Sequence, residues 1–318
     1  MTTIQTLRRL AAALVLAAFL GGCGGGDDGA PPPQPGVEEG ASLDIPTSVE
    51  LLQLCLESYQ MLTDFESGKT FTLPPPYTLQ AQFDTIEHFF GEDTSGPVPI
   101  AFIATRGTAI YVVFRGTKTI SEWISDATFS QVNYAYVANA GKVEKGFNGI
   151  YASIHSAMTQ KVASLASGGT FTTLYITGHS LGAALAVLAA PDFAAHTPFN
   201  QPVVYTFAGP RAGDPLFALF FNGNIGTTWR VVNTNDEAPK VPNVVTTEFG
   251  PPPERKPEVF FFEHVNTEYP ITFGQPIRSL ADLIFNHSSC NYYATLCDKT
   301  GNPTQCKARG QGLNGCSF

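Results

Sequence analysis

Charge is scarce in this 318-residue chain: Asp, Glu, Lys and Arg together make up 14%, against 43% hydrophobic residues. A chain so poor in charge and so well supplied with core material does not have the make-up of a disordered protein. Basic residues are the scarcer sign, 18 against 27 acidic ones, and no Lys/Arg cluster is longer than Arg8-Arg9. The electrostatic footprint of a nucleic-acid binder is therefore missing, and nucleic acid is not an expected partner. No fixed repeat period is present, which excludes a solenoid or propeller. The cysteines include no Cys-x-x-Cys pair, so a structural zinc site is not expected, and neither a metal nor a cofactor enters the reading. What the chain has in number is proline and phenylalanine, 24 of each, which points to a loop-rich, aromatic-packed globule.

Residues 10–20 form an apolar run behind Arg8 and Arg9 and ahead of Gly21-Gly22-Cys23. The run is well short of the ~20 residues a permanent membrane span needs. A charged start, a short apolar stretch and small residues at its end are the layout of a secretory signal. Residues 1–22 are expected to be that signal. Leu20-Gly21-Gly22-Cys23 resembles the bacterial lipobox, in which the cysteine is lipidated and becomes the mature N-terminus. Residues 23–45, rich in Gly, Pro and acids at the start, then read as a flexible tether from an anchor at Cys23. The expected product is an exported, membrane-anchored bacterial lipoprotein; the alternative is a secreted protein. Export permits disulfides. Of Cys55, Cys290, Cys297, Cys306 and Cys316, four crowd the last 29 residues. One or two bridges stapling the tail are expected, and an odd number of thiols cannot all pair.

From residue 46 onward no composition break is long enough for an interdomain linker, so residues 46–318 read as one domain. Apolar residues at helical spacing (Val49, Leu52, Leu56, Tyr59) predict a first helix over 46–65. Residues 70–96 read as a proline-rich loop. Strand-like runs follow at 98–104, 110–114, 173–177, 203–208 and 229–232, with helical patterns at 148–166 and 181–195. Strands alternating with helices indicate an α/β fold, a mostly parallel central sheet with helices on both faces.

Gly178-His179-Ser180-Leu181-Gly182 fits the G-x-S-x-G nucleophile elbow, in which a serine is exposed on a sharp strand-to-helix turn and the flanking residues must be small. A strand-like run precedes it and a helical one follows. A serine hydroxyl is a weak nucleophile until an imidazole takes its proton, and the imidazole needs a carboxylate to fix its tautomer. In this architecture the acid and then the base follow the serine. Asp236 stands directly after the run 229–232 and is better placed than Asp192, inside a helix, or Asp214. His196 closes the helix that begins at the serine and points away. Between His264 and His287, the former ends a strand-like run, where a buried structural histidine is ordinary. His287 is expected in a loop ahead of a short helix at 291–296, and is favoured as the base. His179 reads as structural and facing away from the serine.

One oxyanion donor in an elbow is the N–H after the nucleophile, here Leu181; the second comes from a loop after an earlier strand. Thr117 of Arg115-Gly116-Thr117 suits that place. Ile120, Trp123, Ile124 and Ala127 fall on one helical face, with Thr119 and Glu122 as a capping box. Such a helix beside the site is an expected lid, opening on a lipid surface; the alternative is a surface helix packed permanently on the core.

FRGT at 114–117, Trp123–Asp126, GHSLG at 178–182, AGPRAGD at 208–214, NTNDEAPKVP at 233–242 and the trailing His287 and Tyr292 occur in the order seen in the class 3, fungal-type triacylglycerol lipases. The chain resembles that family over residues 46–297. The resemblance implies an α/β-hydrolase fold, Ser180 as nucleophile, Asp236 as acid, His287 as base, Thr117 and Leu181 as oxyanion donors, and Trp123 as a lid residue. It further implies a serine-dependent carboxylic-ester hydrolase acting on acylglycerols at a lipid–water interface, without cofactor or obligate protein partner. Phospholipase A1 and feruloyl-type esterase are the alternatives within that chemistry. An inert lipid-binding surface lipoprotein is the alternative outside it. A proline-rich insert at 251–257 and the cysteine-rich tail depart from the family pattern.

Overall fold

A computed structural model describes residues 42–86, 96–117, 129–249 and 256–318. The expected signal, tether and anchor at Cys23, and the expected lid residues Ile120, Trp123 and Ile124, lie outside the described residues. Helix α1 (Ile45–Glu66) starts at a proline in its first turn and buries Val49, Leu52, Leu56 and Tyr59, the stripe read from the sequence. Strands β1 (Thr78–Thr85), β2 (Val98–Arg106) and β3 (Ala109–Phe114) follow. A short ribbon of β4 (Gln131–Asn133) and β5 (Lys142–Glu144) leads into α2 (Lys145–Ala166). Then come β6 (Thr173–His179), α3 (Leu181–His196), β7 (Val203–Phe207), α4 (Pro215–Asn224) and β8 (Thr228–Asn233). Strands β9 (Val245–Phe249) and β10 (Pro257–Phe261) pair as a separate antiparallel hairpin, and β11 (Thr267–Ile271) precedes α5 (Leu280–His287), α6 (Ser289–Cys297) and α7 (Pro303–Gly310).

Seven strands form the central sheet in the order β1-β2-β3-β6-β7-β8-β11, parallel from β3 to β11 and antiparallel at the β1-β2-β3 edge. Because strand side chains alternate in direction, the sheet feeds two cores. Ile110, Val112 and Phe114 of β3 pack with α2 and α3, while Tyr111 and Val113 face α1 and α6. Helices thus cover both faces, as the α/β pattern required.

The proline-rich stretch 70–96 is not all loop. Leu79, Ala81 and Phe83 alternate with Gln80, Gln82 and Asp84. That period suits a half-exposed strand, and β2 supplies the hydrogen-bonding partner. Prolines 74–76 beside it obscure the signal. His287 is likewise not in a loop but is the last residue of α5. The run at 259–263 does contain a strand, β10, but it joins the hairpin and not the main sheet.

Two bridges, Cys290–Cys316 and Cys297–Cys306, tie α6 to the C-terminal tail, and Cys55 is the odd thiol, fully buried on α1. Burial pushes the Cys55 thiol up to about 12. Tyr292, Tyr293, Leu296 and the half-cystines Cys297, Cys306 and Cys316 share a core with α1. Closing a loop of this size with a disulfide contributes about 3 kcal/mol by limiting the unfolded chain. Replacing Cys290 and Cys316 by Ser is expected to lower the urea midpoint by a corresponding amount, measured by circular dichroism, without changing the native spectrum.

Candidate active site

Ser180 sits between β6 and α3 at φ 60° and ψ −128°. A non-glycine residue rarely adopts this backbone, at a cost of about 1–3 kcal/mol, unless its surroundings enforce it. Here they do. The Ser180 N–H donates to Phe207 O at 2.9 Å, and Ala183 N–H donates to Ser180 O at 2.9 Å. A Cβ on Gly178 would collide with the Gly182 carbonyl, and one on Gly182 would collide with the carbonyl of Phe114. The two glycines of the motif are therefore required by close backbone approach, which brings β3, β6 and α3 together around one serine.

The turn after β8 presents Asp236, which is fully buried. Its carboxylate accepts from His287 Nδ1 at 2.9 Å, from the Tyr292 hydroxyl at 2.9 Å and from Ala238 N–H at 3.0 Å. Tyr292 also accepts from Asn233 N–H at 2.8 Å, so one phenol joins the end of β8 to the acid. An ionised carboxylate can only accept, so Nδ1 of His287 carries the hydrogen and Nε2 of the neutral ring has a free lone pair. Nε2 of His287 and Oγ of Ser180 are both buried and have no hydrogen-bond partner. Buried polar atoms are ordinarily paired, so each of these two atoms has capacity for a further hydrogen bond.

His179, read from the sequence as structural and facing away, is not remote from the chemistry. Its Nε2 donates to the backbone oxygen of His287 at 3.0 Å, which leaves Nδ1 to accept from the Tyr59 hydroxyl at 2.9 Å. The two imidazole rings lie 4.8 Å apart. Burial, reinforced by the charge His287 can carry, holds His179 well below the ordinary histidine range, with the backbone hydrogen bond opposing. The ring is neutral at physiological pH. The histidine inside the G-x-S-x-G motif was the available signal, but only the fold shows that α5 ends against it.

The residues set aside have other partners. His264 donates to Pro239 O at 2.7 Å, and burial beside Arg230 keeps it well below the usual range. His196 pairs with Asp192 at 2.7 Å at the end of α3, and Asp214 accepts from Phe217 N–H as the cap of α4. Thr117 and Leu181 are buried, and Gly116 packs so tightly that a Cβ there would collide with Tyr59 Oη and approach Ser180. As the first residue of α3, Leu181 has an N–H with no acceptor inside its helix.

Residues 111–246 match the family model described as Lipase (class 3). Over those residues the chain is similar to the class 3 lipases. The lipase of Rhizomucor miehei is 34% identical over 170 residues, covering 52% of this chain and 43% of that one. The secreted mono- and diacylglycerol lipase A of Penicillium cyclopium is 27% identical over 168 residues, covering 52% and 53%. The chain thus spans about half the length of these curated relatives. A solved deletion mutant of the Rhizomucor miehei lipase–propeptide complex superposes with a TM-score of 0.57 at 28% identity, covering 72% of this chain and 67% of that one. The fold is that of the α/β-hydrolase lipases.

The neutral His179 gives a pH prediction. Its folded pKa is depressed, so below about 6.5 the unfolded chain takes up a proton that the native state refuses. Relative to His179→Gln, the wild type is expected to lose stability on going from pH 7 to pH 5, by about 2 kcal/mol. Urea unfolding of both proteins at the two pH values measures the difference. A gap that does not change with pH would show that His179 titrates normally.

Proposed function

We propose that this chain is a serine-dependent carboxylic-ester hydrolase whose substrates are acylglycerols. The observation that carries the reading is the Asp236–His287 pair, with its outer nitrogen unoccupied, packed against an elbow that holds Ser180 in a strained backbone. In the proposed cycle His287 Nε2 takes the Ser180 hydroxyl proton as Oγ attacks the ester carbonyl. The oxyanion is received by the N–H groups of Thr117 and Leu181, each such donor being worth about 10²–10³ in rate. Asp236 stabilises the imidazolium, which then protonates the departing alcohol. Water, deprotonated by the same nitrogen, releases the acid from the acyl-enzyme.

The choice of a lipid ester is supported by exposed apolar surface on the β9–β10 hairpin and on α5. In the β9–β10 hairpin, Val245 pairs with Phe261, Thr247 with Val259 and Phe249 with Pro257, so all six share one face. All six are exposed, Phe249 at 67%. Leu280, Ile284 and Phe285 are exposed on α5, the helix that ends at His287. Apolar patches of this kind on a globular protein suit contact with an aggregated apolar phase. The names of the relatives, lipase and mono- and diacylglycerol lipase, favour the same substrate class. Residues 1–22 as an export signal, with Cys23 as a lipid attachment point, would keep the enzyme beside such substrates.

Three experiments test this. An organophosphonate should add to Ser180 in the wild type and not in Ser180→Ala. Asp236→Asn, which reverses the demand on the His287 tautomer, should lower kcat by about 10⁴ with little change in fold. Hydrolysis of short p-nitrophenyl esters, emulsified triacylglycerol, phosphatidylcholine and feruloyl esters should be fastest on the emulsion. An enzyme faster on phospholipid or feruloyl esters would move the substrate class, and an unlabelled Ser180 would leave an inert lipid-binding protein. Separately, Cys23→Ser should release the expressed protein from the membrane fraction; continued attachment counts against lipidation.

A further inference from the structure

We propose that Arg115 is the positioning residue of the oxyanion hole, acting by fixing the direction of the Gly116–Thr117 peptide. This rests on the hydrolase reading above and goes beyond it, because none of the site assignments so far involves the Arg115 side chain.

Arg115 is fully buried, and two of its guanidinium nitrogens donate to backbone carbonyls. Nε donates to Pro99 O at 2.9 Å, and Nη1 donates to Gly116 O at 2.6 Å, a short charge-assisted bond. The backbone is fixed as well, with Arg115 N–H donating to Ile100 O at 2.8 Å. Pro99 and Ile100 belong to β2, and β3 lies between β2 and β6 in the sheet. The guanidinium is thus pinned on the β2 side of the chain as it leaves β3, and it draws the Gly116 carbonyl to that side.

The consequence follows from peptide geometry. The 116–117 bond is not among the cis peptides. In a planar trans peptide the C=O and the next N–H point in opposite directions. With the Gly116 oxygen turned to β2, the Thr117 N–H is turned toward β6, whose end carries Ser180. The opposite orientation would aim a carbonyl oxygen at the place where a negative charge develops, reversing the sign of the interaction. Glycine at 116 is itself free to rotate, since it lacks the side chain that restricts φ and ψ. Contact with Tyr59 Oη, His179 O and Ser180 excludes any side chain there. That packing fixes where the peptide sits, and Arg115 fixes which way it faces. Its charge also polarises the Gly116 carbonyl, which strengthens the N–H of the same peptide as a donor.

The test compares Arg115→Met, which keeps bulk and removes every donor, with Arg115→Lys, which retains one donor and the charge. Circular dichroism and thermal unfolding first establish that each variant folds. With p-nitrophenyl butyrate, kcat of Arg115→Met should fall about 10²-fold with KM within threefold, the signature of an interaction made in the transition state. Arg115→Lys should recover about tenfold of that loss. A folded Arg115→Met with kcat within threefold of wild type overturns the proposal. So does a loss expressed in KM alone, or one that Lys does not relieve, since either describes a merely structural residue. Where Arg115→Met fails to fold, a crystal structure of the wild-type phosphonate adduct decides. The phosphonyl oxygen should lie within 3.2 Å of Thr117 N while Gly116 O remains on Arg115 Nη1, within ordinary hydrogen-bond limits. A phosphonyl oxygen beyond reach of Thr117 N, or a Gly116 carbonyl turned away from Arg115, overturns it. If Ser180 forms no adduct at all, the hydrolase reading has failed and the clamp falls with it, an outcome distinct from a labelled enzyme indifferent to Arg115.

Discussion

Backbone meets backbone at Ser180 more closely than any side chain would allow, and the rest of the site is arranged around that contact. Gly178 lies against the Gly182 carbonyl, Gly182 against the Phe114 carbonyl, and Gly116 against the serine itself. Such approaches leave Ser180 no relaxed backbone to fall into, which is how a positive φ survives in a residue with a Cβ. The same approaches bring the ends of β3 and β6 and the first turn of α3 within reach of one hydroxyl. The N–H groups of Thr117 and Leu181 are backbone groups, so their positions are set by this packing and not by the rotamers of flexible side chains. Preset dipoles of that kind need little reorganisation when charge appears.

Asp236 and His287 are placed by a second set of contacts that is largely electrostatic. A fully buried carboxylate is costly unless its oxygens are satisfied, and Asp236 receives hydrogen bonds from His287, Tyr292 and Ala238. Tyr292 belongs to α6, which both disulfides fasten to the tail. The cysteine-rich end of the chain thereby supports Asp236, far from it in sequence. His179 donates to the His287 backbone and takes its own hydrogen bond from Tyr59 on α1. The two imidazole rings lie 4.8 Å apart, and burial keeps that of His179 neutral.

What the amino-acid sequence disclosed, and what it withheld, divides along the same physical line. Signals carried by neighbouring residues were readable: the helical stripe of α1, the apolar runs of the inner strands, the small residues around Ser180, and Asp236 directly after β8. Signals that depend on what lies across the fold were not. The alternation of β1 is masked by Pro74, Pro75 and Pro76 ahead of it, and β11 carries Pro270, tolerated because the strand lies at the edge of the sheet. The run 280–287 gave no loop-to-helix cue strong enough to place His287 at a helix end. Disulfide pairing, the reach of His179 to the His287 carbonyl and the hold of Arg115 on Gly116 are facts of tertiary contact, and no spacing of residues encodes them locally.

The site also shows where stability has been given up. Ser180 is held in an unfavourable backbone, and its hydroxyl and His287 Nε2 are buried without partners. Each orphaned buried group costs about 1–3 kcal/mol relative to a paired one. A core built only to fold would relax the turn and pair those atoms or replace them with apolar groups. Their coexistence, a strained residue beside two unsatisfied atoms on otherwise well-bonded elements, is therefore hard to attribute to packing. In the proposed cycle the two atoms serve each other, the Ser180 hydroxyl proton passing to His287 Nε2.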